Sequence, residues 1–324
     1  MDLKKGAVGW QKLLVLRWLL MVLPFALWGT AMAAMKPLLT GATPLTIAWM
    51  RLLPAGLLLL VVVVLSGRSL AVAAADRPWL LLFALVDGTL FQGLLTQGLG
   101  DTGAALGSVL IDSQPLAVAL LARLLFGEAI NPVGWLGLLV GLAGIACLGL
   151  PGPLLRHWLL EGPQLLGGHP WNQGELWMLG AAMAMAVGTV LCRYACRHTD
   201  ALVITGWHLL IGALPLLATC LLRPAFDPAA APFWPAWSGV DWALMAYASL
   251  LGSGLAYGLF FWFASSGDLT SFTALTFLTP LFALLCGLAL LGESLKPVQW
   301  LGAALALVSV ALINRRRQLW EPQP

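Results

Sequence analysis

Pro44-Leu-Thr-Ile-Ala-Trp-Met-Arg-Leu-Leu53 continues through Pro54-Ala-Gly56 into Leu57-Leu-Leu-Leu-Val-Val-Val-Val-Leu65, with Arg51 as its one charged side chain. A helix rises about 1.5 Å per residue, so about 20 apolar residues cross the ~30 Å hydrocarbon core of a bilayer. This stretch is long enough to span. It lacks the apolar–polar alternation that a strand of a membrane barrel would carry. The pattern returns 157 positions later as Ala201-Leu-Val-Ile-Thr-Gly-Trp-His-Leu-Leu210, which sets His208 opposite Arg51.

The duplication extends beyond this pair. Gln114-Pro-Leu with its downstream Phe126-Gly-Glu128 matches Thr279-Pro-Leu with Leu291-Gly-Glu293, now at an offset of 165. Trp135-Leu-Gly137 matches Trp300-Leu-Gly302 at the same offset, and the longer loop after the seventh span accounts for the change. Apolar windows and their punctuation give ten spans: Leu13 to Met35, Pro44 to Leu65, Trp79 to Leu99, Gly103 to Leu125, Pro132 to Leu150, Leu176 to Tyr194, Ala201 to Leu222, Trp242 to Ser265, Leu269 to Leu291 and Val298 to Ile313. Residues 13–150 form one five-span repeat, 151–173 an outer connecting loop and 174–317 the second repeat. Five is odd, so the second repeat enters the membrane from the opposite side. The fold expected is an all-α membrane protein of ten transmembrane helices, two inverted five-helix repeats around a central cavity.

Composition agrees. Of 324 residues 60% are hydrophobic, and only 17 Lys and Arg and 14 Asp and Glu are present. A soluble chain is about 25% charged. The net charge of +3 is too small and scattered for nucleic-acid binding. Five cysteines lie in or beside apolar runs and read as small core residues; Cys192, Cys196 and His198 are an incomplete zinc set, so no metal and no cofactor are expected. Leu13 to Met35 is too long for a signal core and reads as a retained first span. With the N-terminus inside, Lys4, Lys5, Lys12, Arg17, Arg68, Arg77, Arg123, Arg193, Arg197 and Arg315 to Arg317 fall on the inner side, against Lys36, Arg156, Arg223 and Lys296 outside. That asymmetry places both termini in the cytoplasm and the chain in the inner or plasma membrane.

These residues resemble a known family. Trp28-Gly29 in the first span, Arg51 in the second, Pro115 and Gly127-Glu128 in the fourth and a Gly-rich fifth look like the EamA module of the drug/metabolite transporter superfamily. The second half repeats it with Gly188, His208, Pro280, Gly292 and Glu293. The resemblance covers Leu13 to Arg317 and implies a ten-helix transporter of small organic solutes, often an exporter of amino acids or other metabolites, with the first, third and fourth helices of each module lining the cavity. His208 stands where an arginine would mirror Arg51.

Ionisable groups near the bilayer centre cost about 2.5–3.5 kcal/mol each on insertion scales, so each calls for a partner or a wet cavity. Arg51 is expected to neutralise Asp112 or Asp87 across a helix interface, either to hold helices in register or to serve transport. Asp112, two residues before Gln114-Pro115, is expected to face the cavity and to bind a substrate ammonium or carry a coupling proton. Asp87 would support it and Trp28 would stack on substrate. Gln92 and Gln97 align with Tyr257 and Trp262, giving two mirrored positions that either tie helices together or bind ligand. Pro280 reads as a packing kink and Glu128 as a structural helix end. Gly137-Leu-Leu-Val-Gly141 is a small-residue face for close approach, within the protomer or in a homodimer.

An enzyme is the competing class. Gly98-Leu99-Gly100-Asp101 fits the short pattern of intramembrane aspartyl proteases, with Asp87 upstream. Fourteen residues on one helix separate the two acids by about 21 Å, too far to share a proton. No phosphate loop or Ser/His/Asp order appears, which argues against an ATP-driven pump. The expectation is a non-enzymatic secondary transporter working by alternating access on a small-molecule substrate, with protons as an optional coupling ion. A non-transporting scaffold is the third class.

Overall fold

The computed structural model describes residues 3–101, 110–149, 173–226, 233–291 and 296–320. The start of the fourth span at Gly103, most of the 151–173 connection, and Gly292 and Glu293 lie outside them. The described residues are helical, without a strand, and the fold is ten transmembrane helices in two inverted repeats around a central cavity.

The first repeat contains α1 (Leu3–Met35), α2 (Pro44–Leu65), α3 (Arg77–Asp101), α4 (described from Gln114–Phe126) and α5 (Pro132–Gly149). The second contains α6 (Gln173–Ala195), α7 (Ala201–Phe226), α8 (Gly239–Ala264), α9 and α10 (Pro297–Trp320). The ninth is composite: a short helix Leu269–Thr273, a tighter 3-10 stretch Ala274–Leu278 and a helix Thr279–Leu291. Eight of the ten are long and apolar enough to cross a bilayer over described residues alone, and Gln114–Phe126 and Pro132–Leu148 are shorter apolar helices. The chain is a multi-pass membrane protein.

Local chemistry sets the helix starts. Proline at the first position lacks the N–H that a helix start leaves unpaired, and Pro44, Pro132 and Pro297 sit there. Thr43 Oγ1 accepts from Thr46 N at 3.2 Å ahead of α2, and Ser238 with Asp241 forms a reciprocal capping box ahead of α8.

The repeats pack with matching pairs: α2 lies along α7, and α5 along α10. Glycines allow the close approaches. A Cβ on Gly212 of α7 would lie 2.5 Å from Gly88 Cα and 2.8 Å from Ala84 O, both backbone atoms that cannot rotate away. Gly212→Ala is therefore expected to destabilise the protein by about 1–3 kcal/mol, read as a lower apparent Tm in detergent; an unchanged Tm would refute the contact. The Gly137-to-Gly141 face is used within the protomer, against α10: a Cβ at Gly141 would come 2.5 Å from Ser309 Oγ, and Ser309 donates to Gly137 O at 2.6 Å.

At the end of the molecule that carries the termini, two polar clusters tie the repeats together. Asp76, just before α3, is fully buried and accepts from His198 N at 2.9 Å, His198 Nδ1 at 2.8 Å and Thr199 Oγ1 at 2.8 Å. Burial opposes its ionisation, but these hydrogen bonds outweigh it and hold the carboxyl below the usual range. His198 is thus turned to Asp76, while Cys192 and Cys196 approach each other at 3.7 Å. The second cluster centres on Glu128. Gly127, in the left-handed conformation at φ +66°, ends α4 and turns the next residue across to the other repeat. Glu128 Oε1 accepts from Leu269 N at 2.9 Å and Arg193 Nη1 at 3.3 Å; Oε2 accepts from Thr270 N at 3.1 Å and Thr270 Oγ1 at 2.8 Å. It caps α9, where the positive end of the helix favours a carboxylate.

Candidate functional site

A cavity lies between the repeats, near mid-height and displaced toward the end away from the termini. Its walls come from α1 (Trp28, Met32, Met35), α2 (Arg51), α3 (Phe91, Leu95), Ile111 and Asp112, α6 (Met185), α8 (Gly252, Tyr257) and α9 (Thr276, Thr279). Helix irregularities build it. Pro115 cannot donate to Ile111 O, and the chain breaks at Asp112–Ser113 before α4 resumes at Gln114. Pro280 is matched by the 3-10 stretch Ala274–Leu278, which aims Thr276 and Thr279 inward. In α8 a π-segment, Leu250–Leu255, re-aims Ser253 toward Arg51.

Arg51 is 3% exposed and Asp112 5% exposed. The guanidinium donates from Nε to Ser253 Oγ at 3.1 Å and from Nη1 to Met35 Sδ at 3.0 Å. Tyr257 is within electrostatic reach of it. The neutral hydroxyls of Ser253 and Tyr257 and a thioether leave the positive charge unbalanced by direct contact. Asp112 has no hydrogen-bond or ion-pair partner among the described residues. Trp28 Nε1, Thr276 Oγ1 and Thr279 Oγ1 are also buried without a partner among them. Buried polar atoms are usually paired, so five unsatisfied or half-satisfied groups around one space mark it as built for a polar occupant. The free space is about 50 Å³, room for a few waters and well below the roughly 300 Å³ of a small-molecule pocket. Binding a solute requires side chains to move aside, and Met32, Met35 and Met185 are suited to that by their flexible, unbranched stems.

Below this cavity stands a barrier. Gln92 Nε2 donates to Tyr257 Oη at 2.6 Å. These positions are mates under the repeat offset of 165, so two equivalent sites touch and the contact lies on the pseudo-twofold axis itself. Trp28 packs against Tyr257 with ring centroids 5.1 Å apart, and Phe260 against Trp28 at 4.9 Å.

A model of the EamA-like transporter family matches residues 16–150 and again 172–315. The chain belongs to the EamA-like transporter family. Among its relatives, a protein named uncharacterized transporter sll0355, from Synechocystis sp., is 50% identical over 93% of this chain and 90% of its own. The WAT1-related protein At3g02690, chloroplastic, of Arabidopsis thaliana is 44% identical over 92% of this chain and 69% of its own. A crystal structure with 21% sequence identity superposes with a TM-score of 0.71 over 94% of this chain and 98% of that one, which shows a shared fold.

The site residues expected from the sequence divide into three groups. Trp28, Arg51, Asp112 and Tyr257 line the cavity, with Gln92 bonded to its floor. Asp87, His208 and Gln114 lie on the other side of the barrier. The expected pairing of Arg51 with Asp87 does not occur: Asp87 Oδ2 is 2.9 Å from His208 Nε2, both residues fully buried, and Arg51 makes no ion pair with Asp112 either. The reason is depth, because α2 and α7 are antiparallel mates, so that Arg51 and His208 point to opposite halves. Gln114 donates to Thr189 Oγ1 at 3.4 Å instead of reaching the cavity. Trp262 is the third case. It is 50% exposed against Phe263 on the outer surface, because five residues after Tyr257 turn the helix by about 140° onto another face. Gln97 is likewise turned out and donates to Asp101 at 3.1 Å. Asp101 is an exposed helix end and Asp87 a buried partner of His208, an arrangement unlike a protease dyad.

Thr276, Thr279 and Met35 line the cavity and Ser253 holds Arg51 at its wall, and sequence reading overlooked all four. Thr279 could have been found, since the repeat sets Thr279-Pro280 on Gln114-Pro115.

Proposed function

We propose that the protein is a secondary transporter that exports a small zwitterionic metabolite of the amino-acid type by alternating access between the 13–150 and 174–317 repeats. The carrying observation is that Arg51 and Asp112, neither with an ion-pair partner among the described residues, stand on the wall of one buried cavity between the repeats. A guanidinium holds a carboxylate by two parallel bonds, and a carboxylate holds an ammonium. Together they fit a molecule that carries both charges, while Trp28 and the methionines accommodate its side chain. Both termini face the cytoplasm of the inner or plasma membrane in this reading, so the cavity opens toward the outside. Substrate charge would neutralise both wall groups, which lowers the cost of moving them through lipid.

The test is counterflow in proteoliposomes, with each of the twenty proteinogenic amino acids supplied labelled outside and unlabelled inside. Uptake of at least one above protein-free vesicles is the expected result. No uptake of any would sink the amino-acid reading and leave a non-transporting scaffold as the better one.

A further inference from the structure

The second buried ionic site lies away from the cavity, across the Gln92–Tyr257 barrier. Asp87 and His208 are both 0% exposed, with Oδ2 and Nε2 2.9 Å apart, while Asp87 Oδ1 and His208 Nδ1 have no hydrogen-bond partner among the described residues. Phe83 stacks on the imidazole at 3.9 Å and 11°, and Phe261 meets it edge-on at 5.4 Å. On α6, Gly188 leaves room for the carboxylate: a Cβ there would fall 2.5 Å from Asp87 Oδ1. Asp87 rides on a π-segment, Ala84–Phe91, the repeat mate of Leu250–Leu255 beside Arg51. Repeated π-segments at both ionic poles point to function rather than accident.

From this geometry we infer that Asp87 and His208 are the proton-carrying site of the transporter, separate from the Arg51–Asp112 solute cavity. This rests on the transport reading above. One proton is bound and released: it adds to the pair without breaking any other bond and leaves as the same proton. Gain or loss changes the net charge of a fully buried pair by one unit, a change that burial makes energetically large. Tyr257 of α8 stands between the two sites: its hydroxyl lies beside Arg51 and accepts from Gln92. Among the described residues Cys192 of α6 also faces Asp87, with Arg193 beyond it. Asp112 is then left to recognise the solute ammonium.

The experiment is a pH step applied, with no solute added, to proteoliposomes adsorbed on a solid-supported membrane, which records charge displaced by proton binding. Wild type is expected to give a transient, Cys192→Ala to keep it, and Asp87→Asn and His208→Gln each to lose it. A wild-type protein without a transient, or a transient that survives both substitutions, overturns the proposal. Should those variants fail to fold, a protein retaining only His208, with His157→Gln, His169→Gln and His198→Gln, is followed by nitrogen NMR of labelled histidine. The ring is expected to titrate, and a ring fixed in one form across the pH range of stability overturns it. Failure of the transport reading shows separately, as absence of amino-acid counterflow by wild type.

Discussion

Arg51→Gln and Asp112→Asn each abolish solute counterflow while leaving the protein folded. In the free protein Arg51 meets Ser253 Oγ, Met35 Sδ and the Tyr257 hydroxyl, all uncharged, and Asp112 has no partner among the described residues, so neither substitution breaks a native ion pair. Their effect falls on the bound solute. A hydrogen bond to a charged group contributes about 1.5–3 kcal/mol, which is about 10- to 100-fold in affinity for each pole. The two losses separate by substrate: removing the solute carboxylate, as in an amine, should make Arg51→Gln harmless, and removing its ammonium should do the same for Asp112→Asn. Counterflow at wild-type rates in Asp112→Asn removes that carboxylate from recognition. A loss that is the same for every solute would instead mean that the residues hold helices together, and a lowered Tm would accompany it.

That outcome matters because the depth of each charge was legible in the sequence and its partner was not. Apolar runs and the repeat at offsets of 157 and 165 carry the ten helices, their inversion and the mirrored placement of Arg51 and His208. Depth puts Arg51 and His208 in opposite halves, and helix rotation then decides which acid each meets. The π-segment around Asp87 inserts extra residues into a turn and changes the face presented to α7, a feature that leaves no mark on hydropathy. The same rotation separates Tyr257 from Trp262, which share a repeat but not a face. Hydroxyls were overlooked for another reason. Thr276, Thr279 and Ser253 lie in windows as apolar as their neighbours, and only their unpaired or shared oxygens at the cavity wall distinguish them.

Glu128→Ala opens the end of the molecule that carries the termini. Two residues just after α4 decide this: Gly127 turns the chain, and the Glu128 carboxylate then receives the first backbone N–H groups of α9, the Thr270 hydroxyl and Arg193 of α6. Arg193 continues the bridge to Ala264 O at 3.0 Å and to Gly267 O, joining the helix ends from both repeats. Glu128 and Arg193 are 13% and 14% exposed, so solvent screens the contact only partly. Breaking a buried pair by removing one partner costs about 3–5 kcal/mol. If only about 2 kcal/mol of that bears on the closed state, the ratio of open to closed shifts about 30-fold. Cys192 reports the change, since it is fully buried in the closed end and contacts Phe261 O at 3.8 Å. Maleimide labelling read by mass spectrometry should rise selectively at Cys192 and Cys196 in Glu128→Ala, with Cys147 unchanged, and Glu128→Gln should fall between. A general rise at all three would report unfolding, and unchanged Cys192 labelling beside a lower Tm would make Glu128 a helix cap without a gating role.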